Sequence, residues 1–170
     1  DVFSQSFRPG TLAARGFSPE QAAQLRPGIV YVTLSAWGNQ GPWRERRGFD
    51  SIVQTVSGMA YAQGGDKPKL MPVSVVDYVS GYLMAHGAMV ALSRRATEGG
   101  SWLVRISLAQ VGRWLVERGQ VPEAELKNVA KEFTAEELER WIMSSNTPAG
   151  RLRHLAPVIR LSETPPYWDK

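Results

Sequence analysis

Runs of apolar residues bounded by turn residues predict the strands of this chain. Residues 29–35 are almost all apolar and rich in β-branched side chains, which is typical of a strand buried on both faces of a parallel sheet. Residues 102–108 form a second such run, and Val2-Phe3 is typical of the end of another strand. A last short strand is predicted over residues 155–161.

Helical periodicity and capping signals occupy the segments between these strands. After a predicted turn at residues 7–10, Ser18-Pro19-Glu20-Gln21 predicts a helix start, because Ser18 can cap the helix and Gln21 can complete a capping box. Further helices are predicted over about 50–61, 77–97, 109–118, 122–132 and 135–144, the last with the capping box Thr134-x-x-Glu137. Strands that alternate with helices indicate an α/β fold with a mainly parallel sheet.

The chain length suits one domain over residues 1–170 with one sizeable core. Two or three strands are few for an α/β domain of this size, so we expect part of the sheet to lie outside this chain. The first residue is Asp1 rather than Met, and we expect the start to be cut or processed. In the predicted 50–61 helix, one side should be apolar and buried, and it carries Ile52, Val53, Val56 and Met59.

Charge narrows the classes of partner. The net charge is +4 and the isoelectric point is near 9.6, and arginine is far commoner than lysine. Arginine suits phosphate recognition, which fits nucleic acid or a small polyphosphate such as coenzyme A. The densest basic stretch, residues 44–47, is interpreted as a solvated loop. The tryptophans are scattered without a repeat, so we interpret them as packing residues and expect no nucleic-acid partner.

Several kinds of catalytic site lack the residues that they need. The chain has no cysteine, which excludes disulfides, thiolate catalysis and cysteine-bound metals. Neither His86 nor His154 has a carboxylate at metal-ligand spacing, so we expect structural histidines and no metal site. No signal peptide and no uninterrupted apolar run of membrane-spanning length is visible, and we expect a cytoplasmic protein without a membrane partner.

Asp77 is the candidate for chemistry that the pattern itself provides. It follows the apolar stretch 71–76 and begins the predicted long helix. Unpaired N–H groups and the dipole at a helix N-terminus favour an anion, so a carboxylate there should stay ionised and could attack an acyl carbon. Spacing alone favours an ordinary N-cap aspartate. Gly81, one turn later, is a poor helix former unless another group approaches it closely.

Six segments, taken together and in order, share their patterns with one family. They are Ser6-Phe7-Arg8-Pro9-Gly10-Thr-Leu12, Leu25-Arg-Pro-Gly-Ile-Val-Tyr-Val-Thr-Leu-Ser35, Trp37-Gly-Asn-Gln-Gly-Pro-Trp43, Arg47-Gly-Phe-Asp-Ser-Ile-Val-Gln-Thr-Val-Ser-Gly58, Asp77-Tyr-Val-Ser-Gly81 and Leu155-Ala-Pro-Val-Ile-Arg-Leu-Ser-Glu-Thr-Pro165. The chain resembles family III CoA-transferases of the CaiB/BaiF type, a superfamily that includes formyl-CoA and carnitine CoA-transferases and α-methylacyl-CoA racemases. The resemblance covers residues 1–118 and the tail at 151–170, and leaves the predicted helices of 119–150 unassigned.

The resemblance implies a Rossmann-like three-layer fold, incomplete in this chain, and a reaction in which CoA moves between an acyl-CoA and a free carboxylic acid. Asp77 would attack the thioester, form a mixed anhydride and then carry CoA as an aspartyl thioester. The resemblance also implies seven CoA contacts, in which Arg15 replaces an arginine that the family has one position earlier: Ser6, Phe7, Arg8, Arg15, Ser35, Ala36 and Trp37.

Parts of the family pattern are absent. The family's N-terminal Rossmann half has no counterpart before Asp1, and its middle domain, with a glycine-rich covering loop, has none between Gln110 and Arg151. We therefore expect a homodimer or a partner half of the same protein. A non-catalytic CoA-binding half is the alternative. An acyl-CoA racemase is less favoured, because Phe49 stands where racemases have a histidine base.

Overall fold

The computed structural model describes residues 1–127, 129–130 and 132–165. The chain divides into two compact units, Asp1–Gln120 and Val121–Lys170. Compact units also occur within single domains, so the expectation of one domain over 1–170 stays a prediction.

Three parallel strands form the sheet of the first unit. β1 is Val2–Gln5, β2 is Val30–Ser35 and β3 is Trp102–Ser107, in the order β1-β2-β3. The central strand β2 pairs along its whole length with β3 and has almost every residue buried. The two predicted strands, the parallel pairing and the strand at Val2-Phe3 are therefore confirmed.

Helices lie on both sides of this sheet. The long helix α4, Val75–Glu98, packs on one face, where Ala91 joins Val30 and Val32 in a buried cluster. On the other face, the Tyr31 hydroxyl donates to the Phe17 carbonyl at 2.9 Å, just before helix α1, Pro19–Leu25. The Ser18 capping box forms as predicted. This is the expected α/β layering, over a three-stranded sheet.

The helix predicted over 50–61 is wrong in its length. The segment forms two helices, α2 at Asp50–Val56 and α3 at Met59–Gly64. Gly58 separates them with a φ of 85°, a conformation that glycine adopts without strain. Val53 and Met59 are buried as expected, but Ile52 and Val56, which lie four positions apart on one face of α2, are exposed.

Helix α4 begins two residues before the predicted start and ends at Glu98. By length and composition alone this helix could cross a membrane. The sequence itself shows no uninterrupted apolar run of that length there. We interpret it as a helix of the α/β core. Gly87 lies so close to β3 that a Cβ there would meet Val104 Cγ1 at 2.6 Å. Tyr78 and Tyr82, on the outer face of α4, are exposed.

Helix α5, Leu108–Glu117, completes the first unit close to its predicted bounds. The described residues of the second unit form two short helices, α6 at Glu123–Leu126 and α7 at Ala135–Glu139. The Thr134 capping box is confirmed, but the helices predicted over 122–132 and 135–144 are too long.

A hairpin in the second unit was not predicted. β4, Ile142–Thr147, and β5, Gly150–Leu155, pair antiparallel. The strand predicted over 155–161 is therefore wrong: residues 156–161 form none, and β5 ends where that strand was to begin. The connecting turn ends at Gly150, with a φ of 112°. The last part of the tail, 166–170, lies outside the described residues.

Candidate functional site

Asp77 lies in the first turn of α4, as its third residue, and its side chain is exposed. It lines a cavity of about 330 Å³. The other residues of this cavity come from the start of α2, from Gln54 and from the segment that leads into α4: Phe49, Asp50, Ser51, Gln54, Leu70, Met71, Pro72, Val73 and Ser74. The carboxylate is therefore accessible to a substrate placed in the cavity.

The N-terminus of α4 is capped from another helix. Ser74 stands at the N-cap position but makes no side-chain cap. Instead, Oδ2 of Asp50, the first residue of α2, accepts hydrogen bonds from the backbone N–H groups of Val76 at 2.8 Å and Asp77 at 3.0 Å. The expectation of unpaired N–H groups at Asp77 is therefore wrong, and so is the alternative that Asp77 is the N-cap.

This arrangement sets the acidity of Asp77. Partial burial raises the pKa of its carboxyl group above the ordinary value of 3.8, and the negative charge of Asp50 raises the pKa further. The N–H groups of Val76 and Asp77 donate to Asp50 rather than to the Asp77 carboxylate, so they do not offset this rise in the pKa of Asp77 by hydrogen bonding to it. A more basic carboxylate is a stronger nucleophile toward an acyl carbon.

Gln54 holds Asp50 in place one turn along α2. Its Nε2 donates to Oδ1 of Asp50 and, at 3.3 Å, to the carbonyl of Val73, while its Oε1 accepts from the backbone N–H of Met71 at 2.8 Å. Only 6% of Asp50 and 2% of Gln54 are exposed. The two side chains thus form a buried polar pair that holds both the entry to α4 and its first turn.

The two segments that are predicted to contact CoA follow the carboxyl ends of neighbouring strands in the sheet. Ser6, Phe7 and Arg8 follow the carboxyl end of β1, and Ala36 and Trp37 follow that of its parallel neighbour β2. Ligands of open parallel sheets bind outside the carboxyl ends of the strands. Val76 of α4 belongs to the same hydrophobic cluster as Ala36 and Trp37. The first turn of α4 and the end of β2 therefore contribute to one hydrophobic cluster.

Trp37 stands at the centre of the second of these segments. Its Nε1 donates to the carbonyl of Arg47 at 3.2 Å, and its ring meets Trp43 edge-on with centroids 5.1 Å apart. It lines a cavity of about 470 Å³ with residues of β3 and α5, apart from the cavity of Asp77. Ser35 is buried, and its Oγ accepts from the N–H of Gly38 at 3.1 Å.

Known proteins share this arrangement of segments. Residues 1–121 match the family described as CoA-transferase family III. The chain belongs to this family. A probable fatty acyl-CoA transferase of Mycobacterium tuberculosis, Rv3272, is 32% identical over 113 residues, which are 65% of this chain and 29% of the relative. The succinyl-CoA–D-citramalate CoA-transferase of Chloroflexus aurantiacus is 32% identical over 136 residues, 79% of this chain and 34% of the relative.

Solved family III structures have the same fold. A crystal structure of Rv3272 has a TM-score of 0.66 at 28% identity, covering 77% of this chain and 37% of that one. A CaiB/BaiF family protein from Brucella suis has a TM-score of 0.66 at 20% identity, covering 89% and 41%, which shows the fold alone. The chain thus spans about a third of the length of its family III relatives. Some relatives are named as alpha and beta subunits of one CoA-transferase.

The two predicted arginine contacts remain accessible in this family III chain. Arg8 lines a small cavity with Glu45, and Arg15 donates to the carbonyl of Thr11 at 3.1 Å while its side chain stays exposed. Phe7 is also exposed. The roles of Asp77 and of the seven CoA-contact residues stay predictions.

Asp50 and Gln54 are the residues that sequence reasoning missed. Both lie in the motif at residues 47–58 that the chain shares with the family, and the motif by itself assigned no role to either residue. Asp and Gln four positions apart face the same side of a helix and can bond to each other, so the spacing itself carried the signal. No local pattern indicated that their partner would be a helix 26 residues away.

Proposed function

We propose that the full-length protein moves CoA from an acyl-CoA to a free carboxylic acid, with Asp77 as the nucleophile. The observation that carries this proposal is an accessible carboxylate, with a raised pKa, that lines a cavity in a family III fold. The names of the relatives support an acyl-CoA donor and an acid acceptor.

The steps follow from the chemistry of a carboxylate and a thioester. Asp77 attacks the thioester carbonyl, the C–S bond breaks, and CoA leaves as a thiolate while an acyl-aspartyl anhydride forms. The thiolate then attacks the aspartyl carbonyl of that anhydride, which releases the first acid and leaves CoA on Asp77 as a thioester. The acceptor acid attacks this thioester and the steps run in reverse, so Asp77 returns as a carboxylate.

In this proposal CoA lies along the carboxyl edge of the sheet. Arg8 and Arg15 carry positive charge on exposed side chains, which suits the phosphates. Trp37 and the Ser35–Ala36 backbone would hold the thiol arm on its way to Asp77. A contact with phosphate requires an accessible arginine side chain, and both arginines are exposed.

A second chain or segment completes this site. A mixed anhydride must be kept from water, yet Asp77 is exposed. Relatives named as alpha and beta subunits support a partner half, and a homodimer would serve equally. The exposed Tyr78 and Tyr82, on the same helix as Asp77, suit such an interface.

Mass spectrometry tests the nucleophile directly. The full-length protein is incubated with succinyl-CoA, acetyl-CoA or a long-chain acyl-CoA, then digested and mapped. We expect a CoA adduct on the peptide that contains Asp77, and none in Asp77→Ala, which should lose CoA exchange. This variant should fold, because Asp50 rather than Asp77 caps α4.

Asp66→Ala is the matched control, since Asp66 is an exposed aspartate that follows α3. It should keep both the adduct and the exchange. A folded Asp77→Ala protein with undiminished exchange would exclude Asp77. A wild-type protein that binds CoA without adduct or exchange would favour the non-catalytic half, and α-deuteration of a 2-methylacyl-CoA in heavy water would favour a racemase despite Phe49.

A further inference from the structure

The contact between Asp50 and the first turn of α4 is unusual among helix caps. Caps are ordinarily made by the residue that precedes the helix. Here the cap comes from the first residue of α2, and one of the two N–H donors is that of Asp77 itself, at 3.0 Å. The backbone of Asp77, and with it the starting point of the side chain, is therefore fixed by the carboxylate of Asp50.

The chain that leads into Asp50 passes close to the residues that follow β2. A Cβ on Gly48 would meet the Ala36 Cβ at 2.5 Å and the Trp37 Nε1 at 3.0 Å, so only glycine lets the chain pass there. Two residues later the chain enters α2 at Asp50. One continuous set of contacts thus joins the segment predicted to hold CoA to Asp77.

The Asp50–Gln54 pair has more polar contacts than a cap needs. Both oxygens of Asp50 are bonded, and the amide of Gln54 uses its oxygen and its nitrogen to hold residues 71 and 73, which precede α4. The pair is nearly inaccessible to water. An ionised group in such a place also acts on its neighbours, and Asp50 contributes to the raised pKa of Asp77.

We propose that Asp50 is a positioning residue for CoA transfer: held by Gln54, it seats the first turn of α4 and thereby fixes Asp77 relative to the CoA segment at Trp37. The inference rests on the proposed function of Asp77 and deepens it. Asp50 does not touch the substrate in this role, because its oxygens are already bonded to protein donors.

Asparagine separates position from charge at this site. In Asp50→Asn the amide oxygen can still accept from Val76 and Asp77, but the new NH₂ faces the NH₂ of Gln54. In the double variant Asp50→Asn/Gln54→Glu, the introduced carboxylate can accept from the introduced amide and from the N–H of Met71, which restores two contacts of the pair, while the Val73 carbonyl loses its donor. The control is Thr55→Ala, at an exposed position of α2 that does not line the cavity of Asp77.

The experiment compares these variants in the full-length protein by CoA exchange across pH, with folding followed by circular dichroism. For Asp50→Asn we expect a fall of at least tenfold in kcat, a change in the KM for acyl-CoA of less than about threefold, and an acid limb displaced to lower pH. The double variant should recover several-fold of the lost kcat. Thr55→Ala should match the wild type.

Two results would overturn the inference. One is a folded Asp50→Asn protein with the kcat and the acid limb of the wild type. The other is a loss of activity in proportion to unfolded protein, with the acid limb unchanged and no recovery in the double variant, since that is what a purely structural role gives.

A failure of the proposed function is distinguishable from both. A wild-type protein inactive with every acyl-CoA would refute CoA transfer, and hydrogen exchange then decides the seating of α4. At least tenfold loss of protection at the Val76 and Asp77 amides in Asp50→Ala, with Thr55→Ala unchanged, would support it. Unchanged protection in Asp50→Ala would overturn it.

Discussion

At the scale of single residues, the proton on Asp77 links the site to stability. Its pKa is raised in the folded chain above the ordinary 3.8, so the folded chain binds this proton more tightly than the unfolded chain does. The contribution of Asp77 to stability is therefore fully present below 3.8 and is lost as pH rises through the raised, folded pKa.

Asp77→Asn should remove this pH dependence. The free energy of unfolding of the variant, minus that of the wild type, should rise as pH increases through 3.8 and should level off above the raised, folded pKa. Urea unfolding at a series of pH values measures both. A difference that stays constant or falls over that range would show that the pKa of Asp77 is not raised.

At the scale of elements, α4 carries two glycines with opposite surroundings. A Cβ on Gly81 would meet no atom within 4 Å, whereas one on Gly87 would meet Val104 Cγ1 at 2.6 Å. The close approach that the sequence suggested for Gly81 thus occurs at Gly87, on the sheet side of the helix.

Gly81→Ala should therefore stabilise the chain by about 0.5–1 kcal/mol, because alanine is the better helix former. Gly87→Ala should destabilise it by about 1–3 kcal/mol, because the methyl group would press α4 away from β3. Urea midpoints of the two variants test this. Equal destabilisation by both would mean that another group covers Gly81 in the protein.

Capping boxes and β-branched runs correctly predicted the helix starts and the strand that depend on neighbouring residues alone. The Ser18 and Thr134 capping boxes and the β-branched run of β2 all formed as expected. The break at Gly58 and the β4–β5 hairpin were not predicted. In both segments a turn signal competes with helix propensity, at Gly58 inside an apolar repeat and after Thr147 in the hairpin. Tertiary contacts decide which of the two structures forms. The capping of α4 by Asp50 depends on a long-range contact that no local pattern encodes.

At the scale of the whole molecule, the chain spans about a third of the length of its family III relatives and carries an exposed candidate nucleophile. We expect the isolated chain to bind CoA weakly, to associate in solution and to show no turnover. Addition of the missing half should restore exchange. Calorimetry with CoA, sedimentation and a complementation assay measure these properties. A stable monomer with full turnover would contradict the expectation.

The register that pairs Val30 with Trp102 also constrains how the chain folds, because it closes a loop of about 70 residues. At a synthesis rate of about 5–20 residues per second, β2 leaves the ribosome several seconds before β3 does. During that interval the strand has β1 on one side and an unsatisfied edge on the other. Residues 29–35 of the nascent chain are therefore the segment that we expect a chaperone for extended apolar sequences to bind first.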